Sequence, residues 1–439
     1  MPVPGTPPTI IDTTSIEPLN NLDRLAFPSA RGFGAHARGG RRGVLFEVTT
    51  LADGGPGSLR ECVEAAGPRT CVFATGGTIV LDTVLSVSAP FLTIAGQTTP
   101  GGGIQLMLSE TDEHQVLRIA THDVVVRHVR LRRGATSPSA APDGTCCGDA
   151  VILTGAQRVI LDHVSVGFST DENVDVTQSS GVTVQNSIIA YGLRRSTHED
   201  TANNPEDHHS MGVLVGEGST RVSLVRNFFA FNLNRNPRLQ SGISEVCGNL
   251  VYGTTVNPIS MSGNARANVV GNHFDPRPQN SYTHVISTEN SSRAYARGNT
   301  TSVDIWAPGA SQAPSPFQTP SCDDQPSLHA ILSQVGAWPR DSLDSATVGH
   351  VHDGTGALID SPSEIDGWPQ LEPGVPPDDV DGDGMADQWE REVGLNPDTP
   401  QDGNDDYFGV GYTALEVYLA WLAHDVEIAT TVSVPPISP

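Results

Sequence analysis

One phrase recurs along the chain: VTVQNSIIA at 182–190, VSLVRNFFA at 222–230, ISEVCGNLVY at 243–252 and ANVVGNHF at 267–274. Each copy is a short apolar strand, a bend that carries an asparagine, and a second short strand. The asparagines, Asn186, Asn227, Asn249 and Asn272, lie 41, 22 and 23 residues apart. Two earlier copies, VVVRHVRL at 124–131 and VILDHVSV at 159–166, have His128 and His163 at the same point. A repeat of about 22–23 residues built from short strands is typical of a solenoid.

The repeated asparagine has a physical role at a fixed bend. It tolerates a left-handed backbone, and its amide can hydrogen-bond to the matching amides of the coils above and below. A leucine-rich repeat would need a leucine ladder, and a β-sandwich would show closely spaced turns without this phrase. We therefore predict an all-β chain folded as a right-handed parallel β-helix. The segment SLRECVEAA at 58–66 predicts a short helix that caps its N-terminal end.

Composition divides the chain into four parts. Residues 1–24 are rich in proline and threonine and predict a flexible arm, and residues 25–300 predict the β-helix that carries the active site. Residues 301–375 lose the phrase and predict a tail packed along the β-helix. Residues 376–439 are acidic and predict a small EF-hand-like calcium-binding module.

The balance of 25 basic and 50 acidic residues gives a net charge of −25, which argues against nucleic acid as a partner. No window has the roughly 18 consecutive apolar residues that a membrane span needs, so we expect no membrane partner. We also expect a monomer. Six cysteines indicate disulfides formed in an oxidising compartment, with Cys62 and Cys71 the favoured pair. The first residues contain no basic and apolar leader. Because the cysteines indicate an oxidising compartment, we expect a secreted, extracellular protein, and its signal peptide is expected to be absent from this sequence.

The acidic segment contains the pattern Asp-x-Asp-x-Asp-Gly-x₅-Glu of an EF-hand loop at 379–390. The predicted Ca²⁺ ligands are the carboxylates of Asp379, Asp381, Asp383, Asp387 and Glu390 and the carbonyl of Met385. Gly384 would supply the sharp turn. The alternative is a solvated acidic linker, which this spacing disfavours. A second group, Asp402, Asn404 and Asp406, lacks the glycine and is only suggestive.

A second acidic group lies in the predicted solenoid, in GDAVIL at 148–153 and in the stretch DENVDV at 171–176. The two strands are about one coil apart, so we expect Asp149 beside Asp175, with Asp171 and Asp175 on one face. Three converging carboxylates raise one another's pKa values unless a cation lies between them. Ordinary turn acids are the alternative reading.

The basic counterpart is NRNPRL at 234–239, which contains Arg235 and Arg238. Pro237 restricts the backbone between the two arginines. With one turn per coil, this segment is expected a few rungs beyond the carboxylates on the same side. Two arginines at a solvated corner are the alternative.

At these residues the chain resembles the pectate lyase family that contains the bacterial extracellular enzymes. GDAV, ILDH, DENVDV and NRNPRL occur in the family's order, and the similarity spans roughly residues 26–375. It includes the opening phrase AFPSARGFGAHARGGRRG at 26–43 and the closing phrase DGTGALIDSPSEIDGWP at 353–369. The acidic tail is similar to the DxDGDGxxDxWE modules of secreted bacterial enzymes.

The resemblance implies a role for each matching residue. The Ca²⁺ ligands would be Asp149, Asp171 and Asp175, with Glu172 compensating for Cys147, which replaces a further family ligand. Arg235 would be the catalytic base and Arg238 would bind a substrate carboxylate. Gln240 stands where the family has a second arginine. Arg194, Arg195 or His209 could take the place of the family's cleft lysine.

The implied activity is Ca²⁺-dependent β-elimination in α-1,4-polygalacturonate, which gives 4,5-unsaturated oligogalacturonides. One alternative is a polygalacturonase-like glycoside hydrolase, which would use the aspartates as acid and base or nucleophile. The other is a β-helix protein that binds a uronan without cleaving it. The sequence leaves the exact uronan, with alginate as one possibility, the methylation preference and endo or exo action open.

Overall fold

The computed structural model describes residues 24–109, 115–134, 148–195, 208–279, 281–320, 322 and 325–425. Residues 1–23 of the predicted arm, Cys146 and Cys147, and the end of the acidic segment at 426–439 lie outside the described residues.

The described residues form three long sheets in which every neighbouring pair of strands is parallel. Sheet 1 contains, in spatial order, β1 (Val44–Val48), β2 (Arg69–Phe73), β5 (Leu92–Ala95), β8 (His122–Arg127), β11 (Gln157–Asp162), β14 (Ser180–Gln185), β17 (Thr220–Val225), β20 (Ile243–Cys247), β23 (Arg266–Val270) and β26 (Arg293–Arg297). Sheet 2 contains β3 (Gly77–Leu81), β6 (Ile104–Leu108), β9 (Val129–Arg132), β12 (Ser165–Gly167), β15 (Ile188–Ala190), β18 (Phe228–Ala230), β21 (Leu250–Tyr252), β24 (His273–Asp275) and β27 (Thr300–Thr301). Sheet 3 contains β4 (Leu85–Val87), β7 (Leu117–Ile119), β10 (Val151–Thr154), β13 (Glu172–Thr177), β16 (Met211–Val215), β19 (Arg238–Leu239), β22 (Ile259–Met261), β25 (His284–Thr288) and β28 (Asp304–Trp306).

From β2 onward each coil contributes one strand to each sheet, so the chain winds through sheets 1, 2 and 3 in turn. This confirms the predicted parallel β-helix. Val159 pairs with Val182 and Ser244 with Ala267, so these coils take the predicted 23 residues. The longer coils carry extra residues between sheet 2 and sheet 3, and the coil that starts with β5 also has extra residues, Gly96–Gly103, between sheet 1 and sheet 2. Inward-facing aliphatic side chains from all three sheets stack into one buried core.

At the bend between sheets 1 and 2, the two roles predicted for one asparagine belong to two successive residues: the first has the left-handed backbone, and the second forms the ladder. His128, His163, Asn186 and Arg226 occupy the left-handed position, with φ of 55°, 51°, 48° and 56°. The next residue points inward and forms the ladder: the backbone N–H groups of Asn227, Asn249 and Asn272 each donate to the side-chain oxygen of the asparagine one coil on, at 2.8–2.9 Å. The prediction that Asn186 belongs to this ladder was wrong, because Ser187 holds the inward position in that coil.

Helix α1 (Leu59–Glu64) is the predicted cap. Ser58 caps its first turn, and Leu59, Cys62 and Val63 are buried against the first coils. Cys62 forms a disulfide with Cys71, as predicted. A second disulfide joins Cys247 and Cys322.

In the described part of the chain, four further helices lie outside the coils. Helices α2 (Leu328–Gln334) and α3 (Ser342–Asp353) pack on the outer face of sheet 2. Helices α4 (Asp387–Val393) and α5 (Ala414–Leu422) share a buried cluster with Val72 and Ala95 of sheet 1. Short 3-10 turns span Gly96–Thr98, Pro362–Ile365 and Asp402–Asn404. No helix in the described part of the chain is long and apolar enough to cross a bilayer.

Candidate active site

Three carboxylates meet where two coils enter sheet 3. Asp149 precedes β10, Asp171 precedes β13, and Glu172 is the first residue of β13. One oxygen of each lies within 4.8 Å of the others. Asp149 and Glu172 are almost fully buried, and the Glu172 N–H donates to Asp149 Oδ1 at 3.1 Å. We call this set the acid cluster.

The predicted pairing of Asp149 with Asp175 was wrong. Val151 pairs with Val174, so the coil offset is 23 residues and Asp149 lies beside Glu172. Asp175 pairs instead with Ile152, one step further along β13. Glu172, which the resemblance offered only as a substitute ligand, is therefore one of the three acids that meet.

The environment of these acids disfavours uncompensated negative charge. Burial raises the pKa of Asp149 well above its ordinary value, and the nearby carboxylates of Asp171 and Asp175 raise it further. Burial raises the pKa of Asp175 to about 6, although a hydrogen bond of 2.8 Å from Thr177 opposes the shift. Buried carboxylates that repel one another provide the oxygen ligands that Ca²⁺ prefers. The residues present thus fit a hard divalent cation.

A buried arginine lies under the acid cluster and was not anticipated from the sequence. Arg133 is 2% exposed, and its positive charge lowers the pKa of Asp149 against the larger effect of burial. A Cβ on Gly148 would lie 2.0 Å from Arg133 Nε. Glycine before Asp149 therefore allows the guanidinium to approach the cluster. The GD dipeptide was the only signal in the sequence, and it did not identify the arginine.

Arg235 reaches the acid cluster from two coils away. Its guanidinium contacts the Glu172 carboxylate, and its backbone has φ of 56°. Burial lowers the pKa of Arg235, and Arg238 lowers it further, while Asp171 and Asp149 act in the opposite direction. The predicted base and the predicted metal ligands are thus brought together.

A buried chain of polar side chains holds this arrangement in place. Ser169 donates to Asn173 at 2.6 Å, Asn173 to Asn232 at 2.9 Å, and Asn232 to Asn236 at 3.1 Å. Asn236 also donates to Thr254 at 3.3 Å. Because Asn173 belongs to β13 and Asn236 follows Arg235, the chain links the acidic strand to the arginine segment. In the sequence, only the asparagines of NLNRN at 232–236 could have indicated this chain of hydrogen bonds.

Arg238 lies on the outward row of sheet 3 that contains Asp175. Asp175 pairs with Leu214, and Leu214 with Arg238, so the two charged residues are two rungs apart. That corresponds to about 10 Å at the usual strand spacing. Gln240 follows two residues later on the same side, and its backbone N–H donates to Val215.

The three candidates for the cleft cation differ in their surroundings. Arg194 is bound to Asp360 at 2.7 Å, and that bond raises its pKa. Arg195 is exposed. His209 is buried, and its Nε2 lies 2.7 Å from Asp171 Oδ1. His209 is therefore placed to orient an acid of the cluster, which leaves Arg195 the most accessible cation of the three.

Four of the predicted carboxylate ligands of the tail loop lie close together, next to sheet 1. Oxygens of Asp379, Asp381 and Asp383 form one group within 4.8 Å, and oxygens of Asp383, Glu390 and Asp402 form another. Asp387 is not among them, and its two oxygens accept from Val380 N and Arg391 Nη2. The Met385 side chain is buried in the apolar cluster that joins α4 and α5 to sheet 1.

The acid cluster and Arg235 together can neutralise a carboxylate through a bound cation and accept a proton beside it. No protein-family model matches the chain. Two solved structures, the major allergen jun a 1 from cedar pollen and a pectate lyase variant from Bacillus subtilis, have TM-scores of 0.48 and 0.44 at 18% and 14% identity. They cover 75% and 70% of this chain, and 93% and 97% of their own chains are covered.

Curated relatives match the chain over most of its length. A probable pectate lyase 5 from Arabidopsis thaliana is 28% identical over 74% of this chain and 78% of its own. The probable pectate lyases C of Aspergillus terreus and Aspergillus fumigatus are each 33% identical over 90% of this chain and 93% of their own length. With one-third identity over nine-tenths of both chains, this chain belongs to the pectate lyase family.

Proposed function

We propose that this protein cleaves polygalacturonate by β-elimination, with Ca²⁺ as cofactor, and releases 4,5-unsaturated oligogalacturonides. As a member of the pectate lyase family, it is a polysaccharide lyase. The contact of Arg235 with the acid cluster is the observation that carries the proposal. It joins an arginine of lowered pKa to a group of carboxylates at the start of β10 and β13.

The reaction removes the proton at C5 of a uronate and expels the oxygen at C4. That proton is a weak acid, since the adjacent carboxylate already carries negative charge. Ca²⁺ bound at the acid cluster would neutralise this carboxylate and stabilise the negative charge that develops in the transition state. We assign its ligands to Asp149, Asp171, Asp175 and Glu172.

Arg235 is assigned the role of base. Arginine normally stays protonated, with a pKa above about 12, so a base role requires an environment that opposes the charge. Burial and the neighbouring charge of Arg238 act in this direction. The asparagine chain through Asn236 fixes the backbone next to Arg235, and a general base must be held within reach of its proton.

We assign substrate carboxylate binding to Arg238, two rungs from Asp175 on the outward face. Arg195 is the proposed substitute for the family's cleft cation because it is exposed, whereas Arg194 is paired with Asp360. Positive side chains are needed here because the chain as a whole carries a charge of −25.

Two further proposals concern the whole protein. The loop at 379–390 is proposed to bind a second Ca²⁺, apart from the chemistry. The protein is proposed to act outside the cell as a monomer, in keeping with two disulfides and a polymeric substrate too large to be taken up.

The assignment of the base is tested with Arg235→Lys. Lysine keeps a positive charge, but it has a different pKa and lacks the planar guanidinium that contacts Glu172. We expect release of ultraviolet-absorbing products from polygalacturonate to fall at least about 100-fold. Arg266→Lys, an exposed position on sheet 1, is the matched control and should keep full activity. Normal turnover by the Arg235→Lys protein would contradict the assignment.

A further inference from the structure

The C-terminal acidic segment gathers five carboxylates outside the candidate active site. They belong to Asp379, Asp381, Asp383, Glu390 and Asp402. Four come from the loop at 379–390, and Asp402 comes from the segment between α4 and α5. Within the loop, Asp379, Asp381 and Asp383 each use at least one oxygen to accept a backbone N–H group.

The ligand set differs from the one that the loop motif predicts. The motif places Asp387 at the ninth position, but Asp387 lies in neither close group of oxygens and instead accepts from Val380 N at 2.9 Å and pairs with Arg391 Nη2 at 2.7 Å. An oxygen of Asp402 instead lies within 4.8 Å of oxygens of Asp383 and Glu390, and Asp402 Oδ1 is buried with no hydrogen-bond partner among the described residues. Gly403 allows this approach, because a Cβ there would lie 2.5 Å from Asp383 Oδ2. A residue beyond the loop thus completes the set.

The oxygens that face the centre of this set are buried and have no partner among the described residues. Glu390 is 0% exposed, and neither of its oxygens accepts a hydrogen bond. The same holds for Asp381 Oδ2, Asp383 Oδ2 and Asp402 Oδ1. Burying unpaired carboxylates is costly unless a cation compensates them. Burial and mutual repulsion accordingly raise the pKa of Asp383 to about 8 and that of Glu390 to about 7.

The loop is pressed against the first coils of the β-helix. A Cβ on Gly384 would meet the Leu45 side chain of β1 at 3.0 Å. Met385, Trp389 and Leu415 share a buried cluster with Val72 and Ala95 of sheet 1. Polar contacts surround the cluster: Arg41 pairs with Glu416 at 2.7 Å, and Arg127 with Asp425 at 3.3 Å.

We propose that Ca²⁺ bound by Asp379, Asp381, Asp383, Glu390 and Asp402 fastens the C-terminal segment to sheet 1. The ion joins the loop before α4 to the segment before α5, and both helices bury their apolar faces on the first coils. This deepens the proposed calcium binding of the loop at 379–390 and is independent of the lyase chemistry on sheet 3. The second ion is structural, and Asp402 is one of its ligands.

The experiment compares Asp402→Asn with the wild-type protein by thermal unfolding in EDTA and in Ca²⁺. The substitution removes one charge without changing shape. In EDTA it relieves repulsion among buried carboxylates, so the Tm should equal or exceed that of the wild type. In Ca²⁺ it removes a ligand, so the affinity should fall at least about tenfold and the Ca²⁺-dependent rise in Tm should shrink. Asp405→Asn, an exposed neighbour, is the matched control and should behave as the wild type does.

Calorimetric titration with Ca²⁺ separates this inference from the proposed lyase function. Asp175→Asn should lose activity but keep the tail-site binding, whereas Asp402→Asn should lose that binding and stay active in saturating Ca²⁺ below its Tm. The inference would be overturned if Ca²⁺ raised the Tm of the Asp402→Asn protein as much as it raises that of the wild type. So would loss of all Ca²⁺ binding in Asp175→Asn. An active Asp175→Asn protein would count against the active-site assignment alone.

Discussion

At the scale of single residues, the candidate site sets arginines beside carboxylates, although the chain as a whole is strongly acidic. The acid cluster draws together Asp149, Asp171 and Glu172, while Arg133 lies beneath Asp149 and Arg235 contacts Glu172. Two guanidinium groups offset three carboxylates only in part. The remaining negative charge favours a bound cation, and the same cation would hold the carboxylate of the substrate.

Gly148 is the residue whose replacement tests this packing most sharply. In Gly148→Ala the added Cβ would overlap the Arg133 guanidinium, so either the arginine or Asp149 must move. We expect a loss of about 1–3 kcal/mol in the free energy of unfolding and a weaker affinity for Ca²⁺ at the active site. Urea denaturation and the Ca²⁺ dependence of activity measure the two effects.

The matched control is Gly349→Ala, because no atom outside the helix lies within 4 Å of the added carbon in α3. It should be neutral or slightly stabilising, since alanine favours a helix more than glycine does. A Gly148→Ala protein that is as stable and active as this control would show that the close approach of Arg133 is unimportant.

At the scale of elements, the asparagine ladder is what keeps successive coils in register. Asn249 accepts from the Asn227 N–H and side-chain amide, and it donates to Leu224 O and to Asn272 Oδ1. All of these groups are buried away from water. Truncation at one rung therefore leaves partners unpaired on the coils on both sides.

We expect Asn249→Ala to lower the free energy of unfolding by at least about 2 kcal/mol, because each buried partner left unpaired costs about 1–3 kcal/mol. Equilibrium denaturation measures the change. Asn264→Ala, at an exposed turn, is the control and should change the stability little. Equal stability of the two variants would mean that the ladder does not hold the coils together.

The sequence predicted the repeat but not which residue of the phrase faces inward. The strand–bend–strand pattern and the 23-residue period were readable because apolar alternation is a local property. The left-handed position and the inward position are adjacent, so an asparagine in either one gives nearly the same phrase. Asn186 was therefore assigned to the ladder, although Ser187 occupies that place.

The candidate site shows a similar limit. Asp149, Asp171 and Arg235 were identified from spacing and resemblance, because short motifs carry them. Their mutual arrangement depends on register: a pairing of Val151 with Val174 brings Glu172, rather than Asp175, beside Asp149. Arg133 approaches the cluster only through the folded coils, and no local pattern marks it. Asp402 belongs to an acidic group that the sequence suggested, but that group did not place it beside Asp383 and Glu390.

At the scale of the whole molecule, the β-helix carries two separate groups of carboxylates on two different sheets. The acid cluster lies at the start of β10 and β13 in sheet 3, and the tail group rests against β1 in sheet 1. A chain with a charge of −25 can approach a polyanion only where metal ions and arginines reverse the local charge. Ca²⁺ therefore has two proposed roles here, and chelation removes both.

The most direct measurement of the central claim is ultraviolet absorbance during incubation of the wild-type protein with polygalacturonate. The account predicts a steady rise from unsaturated uronides in Ca²⁺, no rise in EDTA, and recovery when Ca²⁺ is restored below the unfolding temperature. Cleavage into saturated fragments, with no absorbance in either condition, would contradict it, as would a rise that persists unchanged in EDTA.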